Sequence, residues 1–182
     1  MTAGVQPGAP RFINPWRVVG WGGAAALLAV PTLAGWPWGL SGTLAAAAMF
    51  ALVGGAIELA VRKARTPAHG AAAAVALLTG FLLQWIGRVG ASDGQLENFV
   101  YVVVALVALA GAVGAEARPE GLAWAMYFAA GFELLVALGA FAAGWVFTDA
   151  RGPVAQLAFN LGLALPWLLA GMLFRTPAVA RA

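Results

Sequence analysis

The residue types available for chemistry in this sequence are carboxylates, amides, hydroxyls and arginines, because its 182 residues include no cysteine and one histidine, His69. A chain without cysteine has no disulfides, thiolate metal sites, iron–sulfur clusters or cysteine nucleophiles. A single histidine also leaves no bis-histidine haem, multi-histidine zinc site or histidine relay. We therefore expect no enzyme activity, no metal site and no cofactor, and the functional candidates are polar residues in apolar surroundings.

Glu133 is the polar residue whose position most needs an explanation. It lies about twelve residues into the apolar segment 121–147, which places it near the middle of a helix of that length. An ionisable group inside a bilayer costs about 2.5 kcal/mol or more. A carboxylate poised between its charged and neutral forms is what a proton-coupled site uses. The alternative is a protonated or paired glutamate that fixes helix packing.

Glu58 and Arg62 lie four residues apart near the end of another apolar segment, a spacing at which two side chains meet on one helix face. This pairing accounts for Glu58 without a functional role, although Arg62 can instead extend to the lipid headgroups. Arg62, Lys63 and Arg65 form a basic cluster next to His69. Such a cluster predicts a surface location, with contact to anionic lipid as a further role.

Amide side chains in the third and sixth apolar segments are further candidates. Gln84 and Arg88 lie one helical turn apart, where they either meet an anionic ligand or anchor the helix end at the interface. Asn160 has Gln156 one turn before it, and such amides hydrogen-bond across helices. The candidate intramembrane polar site therefore consists of Glu133, Asn160, Gln84, Glu58 and Arg88.

The elements that must position these residues are transmembrane helices. Of the residues, 63% are hydrophobic and 9% are charged, whereas a soluble domain carries about 25% charged residues. The apolar segments are long enough to cross ~30 Å of hydrocarbon, which takes ~20 helical residues. The net charge is +3 and the basic residues are dispersed, so we expect lipid and no nucleic acid as a partner.

The apolar segments predict an all-α fold, a polytopic membrane helical bundle of six transmembrane helices. The predicted spans are residues 18–36, 40–61, 70–90, 99–115, 121–147 and 153–174. Residues 1–17 are expected to form a cytoplasmic N-terminal segment, 18–174 the transmembrane domain and 175–182 a cytoplasmic tail. A cleaved signal peptide is the alternative for the first span, because it shares the basic start and the apolar run.

The basic residues predict the orientation, because positively charged loops are retained in the cytoplasm. If both termini lie inside, only Arg88 and Arg151 among the ten Lys and Arg residues are external. The cytoplasmic residues are then Arg11, Arg17, Arg62, Lys63, Arg65, Arg118, Arg175 and Arg181. The connections are short, so consecutive helices are expected to be antiparallel neighbours.

The second and fifth spans share a pattern that predicts two related halves. Residues 48–50 (Ala-Met-Phe) and 57–59 (Ile-Glu-Leu) correspond to residues 125–127 (Ala-Met-Tyr) and 132–134 (Phe-Glu-Leu). Halves of three spans each have opposite topology, an arrangement that many transporters use to build a site at the midplane. Chance similarity in a low-complexity sequence is the alternative.

Two stretches resemble a group of small bacterial inner-membrane proteins that has no established activity. The first is residues 55–60 (Gly-Ala-Ile-Glu-Leu-Ala) with the basic turn at 62–65, and the second is residues 81–85 (Phe-Leu-Leu-Gln-Trp) with the polar loop ending at Asn98. Members of the group carry a longer, Asn- and Pro-containing loop before the fourth span, and this sequence departs from that. The resemblance implies a multi-pass location in the bacterial cytoplasmic membrane.

Three classes of function follow from the sequence. The first is an accessory or assembly subunit of a larger membrane complex, which the short loops, abundant small residues and lack of a catalytic set favour. The second is a small proton-coupled transporter or channel that works as a homo-oligomer and uses Glu133 with Asn160 or Gln84. The third, an intramembrane enzyme, is the least favoured because one histidine and no cysteine provide no nucleophile–base pair.

Overall fold

The prediction of an all-helical chain is confirmed by a computed structural model that describes residues 15–35, 39–89, 97–144 and 152–177. Within these ranges the regular structure consists of six helices. They are α1 (Pro15–Leu33), α2 (Gly39–Lys63), α3 (Pro67–Val89), α4 (Glu97–Gly114), α5 (Pro119–Ala142) and α6 (Gly152–Phe174).

Four of the helices are long and apolar enough to cross a membrane. Their qualifying segments are Gly39–Lys63, Pro67–Ile86, Pro119–Ala142 and Leu157–Phe174. The apolar segments described in α1 and α4 are shorter, Arg17–Pro31 and Val100–Gly114. The chain is thus a helical protein of the membrane type, and crossings by α1 and α4 stay predictions.

Two helices end earlier than the sequence predicts. α1 ends at Leu33 and α5 at Ala142, whereas the apolar runs predicted ends at residues 36 and 147. Gly35 and Gly144 each adopt a φ of +68° just beyond these ends, a left-handed conformation that stops a helix and that glycine adopts without a Cβ clash. After α5, the amide of Ala143 donates to the carbonyl of Gly139 and that of Gly144 to Phe141.

The chain divides into two compact units, residues 1–54 and 55–182, with the boundary inside α2. In the smaller unit the indole of Trp21 packs on Gly54, where a Cβ atom would lie 2.7 Å from Cη2 of the indole. The absence of a side chain at Gly54 therefore makes room for the tryptophan, which is how small residues allow close packing between membrane helices.

The larger unit contains four helices that pack in a closed ring. α3 packs on α4, α4 on α5, α5 on α6, and α6 on α3. The ring is antiparallel, because Gln84 near the end of α3 contacts Tyr101 near the start of α4, and Tyr127 early in α5 contacts Gly171 late in α6. The α3–α4 end of the ring is formed by Val89, Glu97, Ala142 and Gly152, and the α4–α5 end by Pro67, Gly114, Pro119 and Phe174.

α5 has the most buried residues of the four helices, and small side chains form most of its inner face. Its buried residues are Ala123, Ala125, Met126, Ala129, Ala130, Glu133, Ala137 and Ala140. Its opposite face presents large apolar side chains such as Phe128 and Leu135 to the outside. Lipid provides no hydrophobic drive between helices, so van der Waals packing over alanine and glycine is what holds α5 against its neighbours.

Gly111 provides a test of this packing. A Cβ atom at Gly111 would lie 2.8 Å from Cβ of Ala125, closer than carbon atoms pack, so α4 and α5 would have to separate. We expect Gly111→Ala to lower the free energy of unfolding by about 1–3 kcal/mol, measured by denaturation of the purified protein in mixed micelles.

Gly114→Ala is the matched control. The same methyl group on the same helix would meet no atom within 4 Å, so the expected change in unfolding free energy is within about 0.5 kcal/mol. Equal stability of the two variants would contradict the close approach of α4 to α5.

Candidate functional site

Three polar side chains are buried among those that the structure describes, and each lies in the middle part of its helix. Thr79, Glu133 and Asn160 are 2%, 0% and 1% exposed. They lie ten, nine and eight residues from the α3–α4 end of α3, α5 and α6. At 1.5 Å per residue, each is about 12–15 Å along its own helix from the terminus at that end. We call these three residues the polar layer.

Glu133 points into the interior of the ring. On α5, Ala125 faces Gly111 of α4 and Tyr127 faces Gly171 of α6. At 100° per residue, Glu133 is about 80° around the helix from Ala125 and about 120° from Tyr127. It lies between the two contacts, on the buried face of α5, and its side chain is fully enclosed by its own chain.

The carboxyl group of Glu133 has no hydrogen-bond partner in the described part of the chain. Both of its oxygens are buried and unpaired, and the same holds for Nε1 of Trp167. Buried polar groups are hydrogen-bonded in the great majority of cases, and an unpaired one costs about 1–3 kcal/mol. A carboxyl oxygen accepts and an indole N–H donates, so the two unpaired groups have complementary hydrogen-bonding character.

Glu133 is level with the stretch of α6 between Asn160 and Trp167. Tyr127 packs on Gly171 and the helices are antiparallel, so Glu133, six residues beyond Tyr127, is level with about residue 165. Asn160 and Trp167 are seven residues apart, which puts them about 20° apart around α6, on one face. Both are buried, and they lie on either side of Glu133 along the ring.

A hydrogen bond crosses the interior of the ring next to the polar layer. The hydroxyl of Tyr101 donates to Oδ1 of Asn160 at 2.9 Å, which joins α4 to α6, two helices that are not adjacent in the ring. Nε2 of Gln84 donates to the backbone carbonyl of Tyr101 at 3.2 Å. Gln84, Tyr101 and Asn160 thus form a chain of polar contacts from α3 through α4 to α6.

The helices around Glu133 carry little charge of their own. α6 contains no Asp, Glu, Lys, Arg or His, and Tyr101 is the only titratable residue among the described side chains of α4. On α3 the described titratable side chain is His69, near the α4–α5 end. α5 itself adds Glu120 and Tyr127. Within the described side chains, therefore, no cation faces Glu133 from the helices packed against α5.

Glu58, a predicted site residue, lies on α2, outside the polar layer. Glu58 forms the predicted ion pair with Arg62, with 3.0 Å between Oε2 and Nη2. The two side chains are 23% and 66% exposed, and surface pairs of this kind contribute about 0–1 kcal/mol. Lys63 and Arg65 are exposed, as expected of the basic cluster. The side chain of Arg88 lies outside the described residues, as does that of Gln156.

Gln84 and Asn160 each form a hydrogen bond to α4, and three residues near them were not among the predicted site residues. Gln84 bonds to the backbone of Tyr101, which favours a structural role over binding of an anion. Tyr101, Thr79 and Trp167 were not predicted. A tyrosine or tryptophan in an apolar helix is equally typical of the membrane interface, and only the contact with Asn160 and the unpaired indole nitrogen distinguish these two.

Comparisons of the chain with protein-family models, with curated proteins and with solved structures found no match.

The Tyr101–Asn160 hydrogen bond can be measured by a double-mutant cycle. We expect Tyr101→Phe and Asn160→Ala to show a coupling energy of about 0.6 kcal/mol, with about 1.7 kcal/mol as the upper limit for membrane hydrogen bonds. Unfolding free energies of the wild type, both single variants and the double variant provide the value.

Tyr127→Phe is the control for this cycle. It removes the same hydroxyl group from α5, where Tyr127 packs on Gly171 rather than on Asn160, and its coupling with Asn160→Ala should be close to zero. A coupling as large as that of Tyr101 would show that the cycle reports general loosening of the ring.

Proposed function

We propose that this protein is a small proton-coupled transporter of the bacterial cytoplasmic membrane in which Glu133 is the proton-binding group. The observation that carries the proposal is the position of Glu133, fully buried inside the ring with both carboxyl oxygens unpaired in the described part of the chain. Ionisable residues inside membrane proteins face the interior of the bundle and mark ion or proton pathways.

The proton is the cation that this arrangement fits best. A carboxylate binds a proton through one bond, whereas a metal cation takes up to six or more oxygen ligands. Among the described residues, no group of three or more His, Cys, Asp or Glu side chains is placed to hold a metal ion. A group that exchanges one proton needs no further ligands from the protein.

The topology that we propose has six transmembrane helices with both termini in the cytoplasm. The antiparallel ring of α3 to α6 supports the alternation of the last four helices, and the distribution of Lys and Arg supports the direction. In this orientation the α3–α4 end of the ring faces outward and the α4–α5 end faces the cytoplasm. A homo-oligomer surrounded by lipid is the assembly that we expect.

An accessory or assembly subunit of a larger complex is the second candidate, and the exposure of α2 favours it. Ala46 is the only buried residue of Gly39–Lys63, a helix that the structure describes in full. Its exposed side chains include Leu40, Leu44, Leu52 and Leu59. An apolar surface of this extent is covered either by lipid or by a partner protein. The unpaired buried carboxyl group of Glu133 favours the transporter, because ionisable groups inside a bundle mark ion or proton pathways.

Infrared difference spectroscopy of the protein in lipid tests the first proposal. We expect the band of protonated carboxyl groups to change with pH, with ready exchange in heavy water. This signal should be absent in Glu133→Gln and unchanged in Glu120→Gln, which alters an exposed glutamate in the first turn of the same helix. Both variants should elute from a sizing column as the wild type does.

The opposite result would make Glu133 a packing residue. The contrary observations would be a carboxyl band that stays constant with pH and exchanges slowly, together with a Glu133→Leu variant more stable than the wild type. Extraction with a mild detergent separates the two candidates, because a stable heteromeric assembly is expected of an accessory subunit and a homo-oligomer of the transporter.

A further inference from the structure

The two halves of the ring interior differ in polarity on either side of Glu133. Towards the α3–α4 end lie Asn160, Tyr101 and Gln84, joined by hydrogen bonds. Towards the α4–α5 end the buried side chains include Ala72, Ala123, Met126, Ala130, Ala170 and Phe174. Among the described side chains of this second half, the buried polar groups are the indole of Trp167 and the hydroxyl of Thr79, which already donates to the carbonyl of Val75. Water therefore has polar partners on one side of Glu133 and hardly any on the other.

Trp167 lies in the ring interior, in the part of the apolar half that is nearest to Glu133. It is the largest of the fully buried side chains and is 2% exposed. From α6 its indole extends towards α3, where Cη2 would lie 3.8 Å from a Cβ atom on Gly80. It follows Asn160 by two helical turns on the same face of α6, so it separates the level of Glu133 from the α4–α5 end.

Aromatic side chains join helix ends on the α4–α5 side of the ring. The rings of His69 and Phe174 are 6.3 Å apart and join the start of α3 to the end of α6. The guanidinium of Arg175 lies 6.0 Å from the ring centre of Trp124, on α5. Phe174 is buried and narrows this end of the interior, whereas Trp124 is 51% exposed and lies on the outside of the ring.

From this asymmetry we infer that water and protons reach Glu133 from the α3–α4 end alone. Tyr101 and Asn160 are the positioning residues on that route, since their hydrogen bond spans the interior between the end of the ring and the carboxyl group. Trp167 closes the opposite half. The inference rests on the proposed role of Glu133 as a proton-binding group and adds the side from which the proton comes.

Labelling of single cysteines tests the direction of access, and the chain has no cysteine of its own. Ala137 and Ala129 form a matched pair, because each lies four residues from Glu133, about 40° to either side of it on α5, and they are 1% and 0% exposed. Ala137 lies towards the α3–α4 end and Ala129 towards the α4–α5 end. Ala137→Cys and Ala129→Cys would each be treated in lipid vesicles with a small, charged methanethiosulfonate reagent.

We expect Ala137→Cys to react at least about tenfold faster than Ala129→Cys, which corresponds to about 1.4 kcal/mol in access. In the background of Tyr101→Phe, which removes a polar partner for water on that side, the reaction of Ala137→Cys should become slower, while that of Ala129→Cys stays the same. Equal rates for the two cysteines, or a faster reaction of Ala129→Cys, would overturn the inference.

A second pair of cysteine variants keeps the test decisive if a variant of the first pair does not fold. Ala140 and Met126 lie seven residues, about two turns, from Glu133 on its two sides, and both are 3% exposed. Ala140→Cys should react faster than Met126→Cys, and the reverse order would count against one-sided access. Labelling reports access of water whether or not Glu133 titrates. A failure of this inference is therefore distinguishable from a failure of the proposed function, which the infrared band of Glu133 decides.

Discussion

Contacts to glycine residues of α4 and α6 set the distances between α5 and these two neighbouring helices. Gly111 of α4 lies against Ala125, and Gly171 of α6 lies against the ring of Tyr127. Because lipid tails are as apolar as the helices, such packing rather than exclusion of water holds membrane helices together. The two contacts also fix the rotation of α5 about its axis. With that rotation set, Glu133 points to the centre of the ring and Phe128 points away from it.

The contrast between the two intramembrane glutamates shows what position does to the same functional group. Glu58 lies one turn from Arg62 near the basic end of α2, and its carboxylate is paired and partly exposed. Glu133 lies on a helix whose packed neighbours offer no described cation, and its oxygens are unpaired. An unpaired polar group in a low-dielectric interior is expensive. Residues retained at such a cost are commonly functional rather than structural.

The sequence predicted the features that depend on neighbouring residues. Helix type, the Glu58–Arg62 pair and the central position of Glu133 in its helix follow from hydrophobic runs and from spacings of three or four residues. The ends of α1 and α5 were placed too late, because the apolar runs continue past Gly35 and Gly144, where the backbone conformation stops the helix. The Tyr101–Asn160 contact joins residues 59 positions apart, and no local pattern encodes which helices close the ring.

The closure of the ring by α3 and α6 has a consequence for biosynthesis. A chain is made from its N-terminus, so α5 enters the membrane with its carboxyl group before the helix that covers one side of it exists. α6 is the last helix of the ring to be made, and its arrival completes the enclosure of Glu133. Asn160 of α6 then accepts the hydrogen bond from Tyr101. α6 has no charged residue that would slow its insertion. Until then α5 presents a glutamate that hydrocarbon disfavours. Nascent chains halted before α6 would thus be recognisable to membrane quality control by that carboxyl group.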